Sequence, residues 1–189
     1  MLKKLAFTLA LLVILLVGGV LVAQRVSDGP MGPLQGGNFK TGEIVAEPVD
    51  DWSTVRDLTG SGEILLVGPG TSRITGLLLH RGKLYIPCDL GFMANRDWDS
   101  AATEWFGLAM AWFKRWHRDA IEDGRAIVRL GGKLYGGQLT KVTDPDLEQE
   151  LRALTEQVAR EFGGLEVLPP APAEEPNDIW FFHVSPRAL

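Results

Sequence analysis

"AIVRLGGKLYGGQLTKV", residues 126–142, is the stretch on which the fold turns. Gly131-Gly132 lies between two runs of β-forming residues, and two adjacent glycines can both take positive φ, as a two-residue hairpin turn requires. Gly136-Gly137 falls inside the second run, where glycine marks a bulge or the close approach of another group. Neither pair follows a strand and opens a helix, so the fingerprints of phosphate-cradling and dinucleotide-binding loops are absent. The stretch reads as an antiparallel hairpin.

Working outward, short apolar runs alternate with turn signals from Phe39 to Tyr135. We expect strands near Thr41–Glu47, Glu63–Gly68, Arg73–His80, Lys83–Cys88, Ala126–Leu130 and Lys133–Val142, with a turn at His80-Arg81-Gly82. After Asp144 as cap and Pro145 as first helical residue, Leu147, Leu151, Leu154, Val158 and Phe162 form an apolar stripe. That spacing predicts a lid helix over residues 145–162, solvated on the face bearing Glu148, Arg152, Glu156 and Arg160. "LPPAPAEEP" then reads as a stiff linker, and residues 178–185 as a terminal strand.

Residues 99–119 place Trp105, Ala109, Trp112 and Trp116 at helical spacing, and with Trp98 they hold four of the six tryptophans. Such a helix would cover one barrel opening; the other readings are an interfacial helix and a partner-binding surface.

The N-terminus is set apart. Lys3 and Lys4 precede an uncharged apolar run from Leu5 to Ala23. At roughly 1.5 Å per residue, a helix of that length just crosses a bilayer core. A cleaved signal peptide usually has a shorter apolar stretch, about 7–15 residues. We expect residues 1–25 to be an uncleaved anchor with its N-terminus in the cytoplasm and the domain on the outer side of the cell membrane. Residues 26–38, rich in Gly and Pro, read as a tether, and residues 39–189 as one domain.

Composition excludes several classes. The net charge of −5 and the lack of a basic stripe argue against nucleic-acid binding. Cys88 stands alone, which rules out an intrachain disulfide and a Cys-rich zinc site. His80, His117 and His183 are scattered, with neither a nucleophile elbow nor metal-ligand spacing, so we expect no catalytic side chain and no metal.

"GPMGPLQGGNFKTGEIVAEPVDDWS" (29–53), "RGKLYIP" (81–87) and "KRWHRDAIEDGRAIVRLGGKLYGGQLTKVTDP" (114–145), in that order, resemble the FMN-binding split-barrel superfamily. This group includes pyridoxamine-phosphate-oxidase-like and deazaflavin (F420)-dependent nitroreductase-like proteins. The resemblance covers most of residues 40–145. It implies a mainly β (α+β) fold, a six-stranded antiparallel split barrel, commonly a homodimer, with FMN or F420 across the rim. It also implies a cofactor-binding set of Arg73, Pro87, Cys88, Lys114, Arg115 and Trp116. Cations would hold the phosphate and Trp116 would line the ring, while the cofactor carries the hydride. Asp119 stands where deazaflavin-dependent relatives have Asn, and an acid there repels phosphate. Two readings follow: a membrane-anchored FMN- or F420-dependent oxidoreductase, or a cofactor-free binding or structural module at the membrane surface.

Overall fold

The computed structural model describes residues 2–32, 34–56, 58, 60–89, 115–161 and 179–189. In chain order these form α1 (Leu2–Val26), β1 (Glu43–Val45), a 3₁₀ turn (Trp52–Thr54), β2 (Ser61–Leu66), β3 (Thr71–Gly76), β4 (Leu78–His80), β5 (Lys83–Asp89), α2 (Trp116–Glu122), β6 (Arg125–Leu130), β7 (Lys133–Lys141), α3 (Pro145–Glu161) and β8 (Ile179–Pro186). The strands make one sheet in the order β3-β2-β6-β7-β8-β5-β4, with β1 beside β7.

The hairpin at residues 126–142 forms as its glycines dictate. Gly131 and Gly132 have φ of 53° and 78°, and β6 pairs with β7 from Arg125↔Gln138 to Leu130↔Lys133. The β4–β5 turn is built alike, with Arg81 itself at positive φ. Gly136-Gly137 marks close approach: a Cβ on Gly137 would lie 2.5 Å from Val184 Cγ1, and one on Gly136 would overlap the carbonyl of Arg187.

The resemblance implies six antiparallel strands and the sequence pattern, with the terminal strand, seven; among the described residues the sheet has eight, and β1 pairs with β7 in parallel. The extra strand comes from residues 73–80, which do not run as one. At Leu77 the backbone N–H leaves the ladder and donates to Gly60 O at 2.9 Å. β3 then stays with β2, while β4 pairs with β5 at the opposite end of the sheet. The two end strands are thus joined by a single residue, and the sheet must curl to bring them together. Gly76 permits this by lying close over Pro87, whose Cγ would be 3.3 Å from an added Cβ. Pro87 has no N–H to give a ladder, and it falls beyond the reach of β4, where β8 is its strand partner.

The curl encloses Trp52, Ile64, Leu66, Leu84, Ile86, Val128, Phe182 and Val184. A second cluster, Leu78, Tyr85, Val142, Leu151 and Phe181, lies outside the sheet under α3. α3 is capped by Asp144, whose Oδ1 accepts from Asp146 N at 3.0 Å, and Leu151 is fully buried.

Of the aromatic helix expected over residues 99–119, residues 99–114 lie outside the described residues. Trp116–Asp119 belong to α2, which runs on to Glu122 because Trp116 and Ala120, one turn apart, both enter the core. β8 runs over Ile179–Pro186 and α3 over Pro145–Glu161, where 178–185 and 145–162 were expected; Phe162 and Asp178 lie outside the described residues.

α1 is long and apolar enough to cross a membrane, with mean hydropathy 2.5 over Phe7–Val26, a length and composition that a signal sequence would also satisfy. The residues after it fold back on the curled sheet. Gly36 and Ser72 exchange backbone hydrogen bonds at 2.9 and 3.0 Å, extending the edge of β3. The buried Ser72 hydroxyl donates to Gly37 O at 2.6 Å.

Candidate ligand site

Alternation along β3 turns Ser72 outward under Gly36-Gly37 and Arg73 inward, because Arg73 is paired with the core residue Ile64. Inside, Arg73 meets the first turn of α2. Its Cζ lies 5.3 Å from the Trp116 ring centroid, and Trp116 in turn packs on Phe182 at 5.3 Å. Cys88 reaches the same interior from β5, opposite Trp180 of β8. Three of the six expected residues, Arg73, Cys88 and Trp116, are therefore brought to one end of the core.

The other three are not part of this group. Pro87 points to the outer face over Gly76. Arg115 precedes α2 and is exposed. Lys114 lies outside the described residues.

The guanidinium of Arg73 is held in an unusual state. Burial lowers its pKa to about 10, and the fields of Cys88 and Asp119 offset only part of that. Nε and Nη2, the side-on fork that grips a carboxylate or phosphate with two parallel bonds, are both buried without a hydrogen-bond partner among the described residues. A buried donor left this way usually costs on the order of 1–3 kcal/mol. Asp119, whose negative charge was expected to repel phosphate, acts electrostatically on Arg73.

Sequence reasoning missed the part played by β8. Trp180 has Lys141 Nζ at 3.6 Å from its ring centroid and His117 edge-on at 5.2 Å. Spacing along the chain carries no signal for this, since the three residues come from β7, α2 and β8.

A second constellation lies on the outer face. Arg129 binds Glu63 and Asp28, its Nη1 lying 2.9 Å from Asp28 Oδ1, and its Cζ stacks 4.2 Å from the Phe39 ring. Asp28 also accepts from the Lys40 amide and the Thr41 hydroxyl, and these bonds, the Lys40 amide first, hold its carboxyl far below the usual range. Burial alone would lower the pKa of Arg129; the hydrogen bonds to Glu63 and Asp28 outweigh it and raise it. A shallow groove of about 470 Å³ runs past these side chains and Gly131-Gly132. Its charges satisfy one another, so they serve as a clamp. Among the described residues no group of three or more His, Cys, Asp or Glu could hold a metal ion.

No protein-family model matches the chain, and no curated protein does. A crystal structure from Listeria innocua, provisionally assigned as a pyridoxamine 5'-phosphate oxidase, is similar over 68% of this chain and 86% of its own, at 12% identity and a TM-score of 0.37.

Proposed function

We propose that this chain is a membrane-held, curled-barrel module that takes a small anionic ligand at Arg73. The observation that supports it is the buried side-on fork of Arg73, with no partner for Nε or Nη2 among the described residues. A phosphate or carboxylate satisfies that fork with two charge-assisted hydrogen bonds.

FMN or F420 is the redox form of this reading. The two parts of such a cofactor fare differently. Its phosphate suits Arg73. Its ring needs a flat apolar wall, and the expected wall is already covered: Trp116 is 3% exposed between Arg73 and Phe182, and Cys88 is 1% exposed. The ring half does not fit the described residues, so no redox step is derived from them. The burial of Trp116 favours the second reading, a cofactor-free binding or structural module.

The test uses the full chain in detergent, in phosphate-free buffer, titrated with FMN, riboflavin, F420 and inorganic pyrophosphate. The anion reading expects FMN and pyrophosphate to compete for one site. It also expects riboflavin, which lacks the phosphate, to bind at least about tenfold more weakly, the loss of one good charge-assisted pair. Arg73→Lys, which keeps the charge but loses the fork, should weaken both anions. Equal binding of FMN and riboflavin overturns the anion reading. Binding of none of the four leaves the cofactor-free module.

A further inference from the structure

We propose that the outer face of β3, together with the Met31–Leu34 turn, is a lipid-contact surface that lays the barrel down on the bilayer in one orientation. This rests on the reading of α1 as a membrane anchor.

The apolar window of α1 ends at Val26, and there is no slack after it. Ser27 N bonds Ala23 O at 2.9 Å, and the Ser27 hydroxyl donates to Gln24 O at 3.0 Å and accepts from Gly37 N at 3.0 Å. A Cβ on Gly37 would lie 2.7 Å from Arg25 O, so the helix end packs against this backbone. The same Gly37 accepts from Ser72 of β3. One residue therefore separates the helix terminus from the barrel edge. Farther along, Lys40 Nζ reaches Val26 O, and Asp28 is gripped by Arg129. A helix clamped at so many points carries the barrel as a rigid extension, and a bilayer surface level with Val26 meets the barrel edge.

The side chains at that edge suit lipid. Val26, Met31, Leu34 and Ile74 are exposed, and Met31 and Leu34 sit in a tight turn closed by two backbone bonds of 3.2 Å. Ile74 shares the outer face with Ser72, and through its register partner Glu63 it neighbours the Arg129–Asp28 clamp. Exposed apolar groups continuous with an anchor partition into the interfacial layer, and Arg25 and Lys40 beside them suit anionic headgroups.

The test is depth-dependent quenching of the full chain in vesicles of phosphatidylcholine and phosphatidylglycerol carrying spin-labelled lipid. A fluorophore is placed by Met31→Cys, Leu34→Cys or Ile74→Cys, with Cys88 left in place because it is buried and the unlabelled wild type as check. Leu12→Cys reports the anchor and Ala153→Cys, exposed on α3, a surface outside the proposed patch. We expect quenching at 31, 34 and 74 to exceed that at 153 by at least about twofold. Asp28→Asn removes the charge that grips Arg129, and should lower quenching at 74 while leaving that at 12 unchanged. Quenching at 12 with 31, 34 and 74 no higher than 153 overturns the lipid surface and spares the anchor. Absence of quenching at 12 removes the anchor and the proposal with it.

Discussion

Arg73 shows what one side chain can decide. Its pKa, lowered by burial to about 10, corresponds to about 3 kcal/mol against the charged form in the folded state. Without ligand, Arg73→Met should raise the melting temperature by a few degrees, because a buried charge with an open fork is replaced by an apolar chain of similar length. A lower melting temperature, read by differential scanning calorimetry, would mean that the fork is satisfied within the fold. His183 gives a pH test. Burial, then Lys83, lowers its pKa below 6.5. The unfolded chain therefore takes up the proton first as pH falls, and this contribution to stability is present above about 6.5 and lost below it. His183→Gln should flatten the melting-temperature profile between about pH 7 and 5; an unchanged slope refutes the assignment. Arg73 was legible as a strand cation in the sequence, but its stack on Trp116 was not, since the two residues belong to β3 and α2.

Among the elements, α2 and α3 are held in different ways. α2 depends on Trp116, so Trp116→Ala should destabilise the fold by about 3–5 kcal/mol in urea titration, and Trp116→Phe by much less. α3 rests on the Leu151 and Phe181 cluster. Its salt bridges are peripheral: Glu150 bonds the half-buried His80 Nε2 and the exposed Arg81 Nη2, each at 2.8 Å. Glu150→Gln should shift stability by less than about 1 kcal/mol; a larger loss would make that corner a structural joint. The cap, stripe and length of α3 were readable because each depends on residues within a turn or two. α2 runs three residues past the expected end at Asp119 because Trp116 and Ala120 both enter the core.

At the scale of the molecule, Gly36 and Gly37, within the segment read as a tether, hydrogen-bond Ser72 at the edge of β3. A fragment starting at Ser27 keeps Asp28, Gly36 and Gly37; one starting at Phe39 strips Ser72 of its partner and Arg129 of an acid. The longer fragment should melt several degrees higher, and equal melting points would return the segment to a tether. The curl of the sheet has the same character. Sheet order places β3 and β4 at opposite ends, while the chain joins them through Leu77 alone.

Local chemistry along the chain settles a good part of this molecule before any tertiary contact forms. This includes an apolar first helix, a Gly-Gly hairpin, a Pro-started lid helix, strands of alternating burial, and a chain with neither Cys pairs nor a basic stripe. The break at Leu77, the parallel pairing of β1, the packing of Trp116 against Phe182, and the clamp that ties Asp28 to Arg129 arise on folding. Each of these joins residues far apart in the chain, and such contacts depend on how the sheet curls, which no spacing along the sequence encodes.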